Sequence, residues 1–171
     1  MPKTTRYIEI MDTTLRDGEQ TSGISFSAAE KLTIAQILLT EVKVDRIEIA
    51  SARVSEGEFD AVKKITRWAK SKGLLKKVEV LTFVDGTVSI DWMHKAGAKV
   101  MNLLTKGSLN HLTHQLKKTP EQHFVEIENA IESELWVNMN NLDKLLNSGA
   151  SIEDVKQWAL ETKREMFHDG G

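Results

Sequence analysis

The run Asp12-Thr13-Thr14-Leu15-Arg16-Asp17-Gly18-Glu19-Gln20 gathers three acids, an arginine and a glutamine within nine residues. A carboxylate such as Asp12 is a natural ligand for a hard divalent cation. The planar guanidinium of Arg16, four residues on, can grip an anionic oxygen in a fixed fork. The run follows directly on Tyr7-Ile8-Glu9-Ile10-Met11, where a buried strand should be ending. Parallel α/β proteins build active sites at such places, because strand ends project polar groups from a rigid support into a shared crevice. The competing reading is a solvated strand-to-helix loop.

Other strand ends carry further candidates. In Arg46-Ile47-Glu48-Ile49-Ala50, Glu48 interrupts an apolar alternation. A carboxylate pointing into a crevice there needs a partner to offset its burial, and Arg16 is the obvious one; an outward-facing edge glutamate is the alternative. Lys106-Gly107-Ser108 could receive an anion through backbone amides and an ammonium, or be a plain polar loop. His111 and His114 are three apart and would share a helical face, a spacing compatible with a metal pair, although no acid accompanies them. His94 and His123 read as ordinary surface-helix positions, and His168 lies in the terminus. No nucleophile elbow, Walker loop or dinucleotide glycine fingerprint is present.

The elements that must position these groups are legible as alternating patterns. Short apolar runs at 6–11, 45–50, 77–83 and 99–104 predict strands. Between them lie helices with their start signals written out: Ser27 to Glu30, Ser55 to Glu58, and Thr119-Pro120-Glu121-Gln122 with proline at the first helical position. A shorter helix is expected over about 88–97. Four strand–helix units in a row imply parallel strands joined by right-handed crossovers. After about residue 132 the rhythm breaks. Leu135-Trp136-Val137-Asn138-Met139 reads as a fifth short strand, followed by helices over 140–147 and 152–167. The expected division is therefore 1–132 and a divergent helical tail, 133–171.

Composition narrows the function classes. A chain of 171 residues suits one domain with a sizeable core. A net charge of −2 supplies no basic field for nucleic acid or an anionic membrane. The absence of cysteine removes disulfides, thiolate metal sites and a cysteine nucleophile together. No apolar run is long enough for a membrane span and the N-terminus has no secretory core, so a soluble cytoplasmic protein is the expectation.

The nine-residue run resembles the signature of the metal-dependent TIM-barrel condensing enzymes and lyases, the group that includes 2-isopropylmalate, homocitrate and citramalate synthases. Residues 45–55, Asp45-Arg46-Ile47-Glu48-Ile49-Ala50-Ser51-Ala52-Arg53-Val54-Ser55, extend the resemblance, as do Lys106-Gly107-Ser108 and Thr119-Pro120-Glu121. It implies part of a (β/α)8 barrel with four to five parallel βα units. The implied chemistry is a Claisen condensation of acetyl-CoA with a 2-oxo acid in leucine or isoleucine biosynthesis, with a divalent metal (Mg, Mn or Zn). By the same resemblance Asp12 takes the metal-ligand position, and Arg16, Asp17 and Glu48 the catalytic ones. Gln20, Leu81 and Thr105 take substrate-binding positions, and apolar Leu81 suits a small apolar oxo-acid side chain. A homo-oligomer is expected.

The departures matter as much. The family's His-x-His ligand pair occurs nowhere in the chain, and a full barrel needs about 250 residues and eight strands. The chain is thus expected to be the N-terminal part of a catalytic domain, a truncated or rearranged form. Two alternatives stand beside it: a non-catalytic half-barrel that self-associates, and a lyase of the same metal-dependent group.

Overall fold

The computed structural model describes the backbone of residues 8–147 and the side chains of residues 8–133. Four parallel strands run in the order β1 (Met11–Asp12), β2 (Arg46–Ser51), β3 (Val78–Phe83) and β4 (Val100–Leu104). Helices α1 (Ala28–Ile37), α2 (Glu56–Ser71), α3 (Val88–Lys95) and α4 (Pro120–Asn147) follow them in turn. These are parallel βα units, as the alternating pattern predicts, and they form the part of a TIM barrel that the resemblance implies.

Local chemistry explains where the helices begin. The Ser27 hydroxyl accepts from the Glu30 amide at 3.3 Å while the Glu30 carboxylate accepts from the Ser27 amide at 2.7 Å, a complete capping box. Those bonds hold the Glu30 carboxyl below its ordinary pKa. Ser55 caps α2 through the Glu58 amide at 3.1 Å. Thr119 and Gln122 reciprocate at the start of α4, at 3.0 and 3.3 Å.

Side chains alternate across the sheet. Ile47, Ile49, Val78 and Val80 pack into the helix-side core with Ala35 and Leu39, Val62, Ile65 and Ala69 of α2, and Met93 of α3. The intervening positions, among them Glu48, Glu79, Leu81 and Asn102, belong to the opposite face. Register brings them side by side: Glu48 pairs with Glu79, and Leu81 with Asn102. An irregularity between Glu48 and Ser51 shifts the β2–β3 pairing near the strand end.

Two expectations need correction. The first strand expected over 6–11 is shorter where it is described: among the described residues only Met11–Asp12 joins the ladder, while Ile10 is tied alongside through Asp45, whose carboxylate accepts the Ile10 amide at 2.8 Å. The fifth strand over Leu135–Met139 is absent, because α4 runs through it. No glycine or proline interrupts residues 121–148, so a helix once started has nothing to stop it. The strand preference of Leu-Trp-Val is too weak to break it. The helix expected at 140–147 is the end of α4, and the one expected at 152–167 lies outside the described residues, as does His168. Among the described residues no helix is long and apolar enough to cross a membrane.

Candidate active site

The loop after β1 is folded by its own turn chemistry. The Thr13 carbonyl accepts from the amides of Arg16, Asp17 and Gly18 at 3.1, 2.8 and 3.2 Å. The Asp12 carboxylate accepts the Thr14 amide at 2.9 Å and the Thr14 hydroxyl at 3.1 Å, a local turn of the kind aspartate favours. Leu15 drops into the core. Arg16 is thereby thrown across the sheet toward β2.

There its Nε donates to Glu48 Oε2 at 2.5 Å, while Nη1 reaches Asp17 Oδ1 at 2.7 Å. Glu48 is 0% exposed. Its second oxygen accepts from Asn102 Nδ2 of β4 at 2.6 Å. A buried carboxylate is tolerable only when paired and hydrogen-bonded, and here both oxygens are met. The structure thus brings Arg16, Asp17 and Glu48 together, Arg16 being the partner expected for Glu48, and the inward reading of Glu48 is the one the structure holds.

A second carboxylate lies beside the first. Glu79 accepts from Arg46 Nη1 at 2.7 Å. Burial pushes its carboxyl above the ordinary range, Arg46 opposes this only in part, and the neighbouring charges of Glu48 and Glu9 add to the rise. Arg46 Nε lies 3.2 Å from Glu9 Oε2, close enough for an ion pair but not aligned for a hydrogen bond.

Next to Arg16 opens a cavity of about 530 Å³ between the starts of α1 and α2, lined among others by Arg16, Gln20, Phe26, Ser51, Ser55 and Glu58. Gln20 is therefore on the cavity wall. Leu81 is buried, pairs in register with Asn102 and does not line the cavity. Thr105 stands one residue past β4, on an edge of the sheet. Its Oγ1 lies 2.6 Å from His123 Nε2.

His123 is the third correction: it is 5% exposed, not a surface position. The helix phase set by Thr119 turns it inward onto Thr105, and single-residue reading of a polar side chain on an amphipathic helix has no access to that phase. His94 is half-buried. His111 and His114 are both exposed in a short wide turn, His111–Leu116. Among the described residues no three His, Cys, Asp or Glu side chains form a group able to hold a metal. Asp12 and Asp17 together supply at most part of such a site.

Three participants were missed by sequence reasoning. Asn102 interrupts the apolar run Val100-Met101-Asn102-Leu103-Leu104 just as Glu48 interrupts its own, and that signal could have found it. Lys31, fully buried, has no comparable signature inside an amphipathic helix. Arg53 adopts a left-handed backbone, φ 64°, and pairs with Asp85 at 2.6 Å. Only the fold reveals that pair.

The sequence model of the HMGL-like family matches residues 7–164. The chain belongs to the HMGL-like family. The match runs through the four βα units and on to residue 164. This HMGL-like chain is 32% identical to the 2-isopropylmalate synthase of Oceanobacillus iheyensis, over 94% of its own length and 34% of that protein's. It is 34% identical to a putative (R)-citramalate synthase of Methanothermobacter thermautotrophicus, over 95% of the chain and 30% of the relative. It is also 34% identical to a homocitrate synthase of Methanopyrus kandleri, over 93% and 40%. The chain spans between 30% and 40% of the lengths of these three relatives.

Proposed function

We propose that this chain is part of an acyl-transferring condensing enzyme that joins acetyl-CoA to a 2-oxo acid, in the manner of the leucine- and isoleucine-forming synthases. The observation that carries the reading is the Arg16–Glu48 pair: a guanidinium fixed at the sheet's C-terminal edge by a buried anion, beside an open cavity. Condensation builds negative charge on the enolate oxygen and on the ketone oxygen of the oxo acid. A preorganised cation stabilises such charge without reorganising during the reaction. Arg16 Nε and Nη1 are held by Glu48 and Asp17, and Nη2 is the nitrogen we assign to the substrate oxygen. Gln20 is assigned a substrate contact in the same cavity. Leu81 and Thr105 are assigned the oxo-acid side chain, with apolar Leu81 favouring a small apolar group over a second carboxylate.

A divalent metal belongs to the chemistry the resemblance implies. Both Asp12 oxygens already accept from Thr14, so Asp17, exposed beside Arg16, is the freer carboxylate. Neither alone nor together do they make a complete site among the described residues.

The test is release of coenzyme A thiol from acetyl-CoA with pyruvate, 2-oxoisovalerate or 2-oxoglutarate, each with Mg²⁺ or Mn²⁺. Oxo-acid-dependent release is expected, falling by about 10²–10³-fold in Arg16→Ala, the usual loss for one oxyanion-stabilising group. No release with any of the three acids overturns the reading.

A second reading, a self-associating half-barrel, is favoured by the sheet's two edges. Within the described residues β1 and β4 each pair on one side only, and Ile10 and Leu104 near those edges are 62% and 41% exposed. Pairing of two copies would cover both. Light scattering should then give a dimer or larger; a well-folded monomer rules this reading out.

A further inference from the structure

The Lys31 side chain is buried, with 1% of its surface exposed. A lysine ammonium is rarely buried, because losing its hydration is costly unless partners replace it. Three partners do so here. The Leu15 carbonyl at 3.3 Å and Glu58 Oε1 accept its N–H groups, and Glu19 Oε2 forms an ion pair with it at 2.5 Å. Glu58 comes from the first turn of α2. The other two come from the loop after β1, and they flank Arg16 in sequence, one residue before it and three after. Glu19 reinforces the grip through its other oxygen, which accepts from the Phe26 amide at 2.9 Å.

We infer that Lys31 is a positioning residue for Arg16: its buried ammonium clamps the loop on both sides of the arginine and so holds the guanidinium at Glu48. The packing of α1 against α2 does not need the charge, since Ala35, Leu39, Val62 and Ile65 already share one apolar core there. The partner carboxylates keep 21% and 16% side-chain exposure, so without the lysine both can turn to water. A methionine fills nearly the same space without the charge, and replacing a buried ion pair by an apolar group of similar volume often leaves a fold intact. What disappears is the tether on the loop.

The inference deepens the reading of Arg16 as the oxyanion-binding group, but it is read without turnover, so a chain with no condensing activity still passes or fails it. The full chain is labelled with ¹⁵N, and the Arg16 Nε–H resonance, protected by its bond to Glu48, is assigned by its loss in Arg16→Lys. In Lys31→Met the resonance should disappear or move to the solvent-exposed position. Amide exchange over residues 15–20 should accelerate by about tenfold or more while β2 and β3 amides stay within about twofold. Lys31→Arg, which keeps a cation, should restore the resonance at least in part. An unchanged Arg16 Nε–H in folded Lys31→Met overturns the proposal. Should that variant not fold, Glu58→Gln decides: a shifted or broadened resonance supports the clamp, and an unaltered one overturns it.

Discussion

Arg16 and Glu48 lie 32 residues apart in the chain, yet Arg16 Nε stands 2.5 Å from Glu48 Oε2. The contact is asymmetric in burial. Glu48 is wholly enclosed, whereas the Arg16 side chain retains 20% of its exposure. The two halves of the pair should therefore respond differently to removal.

Arg16→Met should cost about 3–5 kcal/mol of stability, because it strands an enclosed carboxylate, and Glu48→Ala should cost less, about 2–4 kcal/mol, because the released guanidinium can turn toward water. Urea unfolding of both variants measures the difference. Equal costs, or a larger one for Glu48→Ala, would contradict the asymmetry.

Glu79 should make stability decline as pH rises. Its folded pKa is raised, chiefly by burial. Below the ordinary carboxylate value both states are protonated and nothing is lost. As pH climbs from there to the raised value, the unfolded chain gives up its proton while the folded one keeps it, so unfolding gains. The stability of Glu79→Gln minus that of the parent should therefore increase across that window. A flat or falling difference would refute the shift.

Asp85 should act in the opposite sense. Burial pushes its carboxyl up, but hydrogen bonds from the Ser89 hydroxyl at 2.7 Å and amide at 3.0 Å, together with Arg53, outweigh it and leave the pKa lowered. Its contribution is present above the ordinary aspartate value and is lost as pH falls through the lowered one. Because it also satisfies the start of α3, Asp85→Ala should cost about 1–2 kcal/mol near neutral pH. Urea midpoints that match the parent at neutral pH but not in acid would be the wrong result.

Gly97 joins α3 to β4 with φ +84°, and a Cβ there would meet Thr66 Oγ1 at 3.1 Å. That hydroxyl is itself held by the Ala96 carbonyl at 2.7 Å. Gly97→Ala should lower stability by about 1–2 kcal/mol, mostly from the left-handed backbone. A thermal melt unchanged from the parent would show that the turn relaxes instead.

Much of the architecture was legible because it is local. The capping boxes at Ser27 and Thr119 rest on groups three residues apart, and the parallel strands on short apolar runs between helices. Glu48 could be picked out because a charge in an apolar strand demands a partner. The fifth strand failed at Leu135–Met139 because local preference there is weaker than the continuation of a helix already begun. His123 failed because its burial depends on which side of α4 faces Thr105.

What the sequence determined by itself is the strand–helix order, the signature loop and the identity of the charged groups on it, since those follow from neighbours along the chain. Only the tertiary structure decided that Glu48 is enclosed by Arg16 and Asn102, that Glu79 lies against it, and that Lys31 is buried between Leu15, Glu19 and Glu58. Each of those joins groups from separate βα units. Their charges are tolerable in the interior only because packing brings opposite partners within hydrogen-bond distance, and no spacing along the chain encodes that distance.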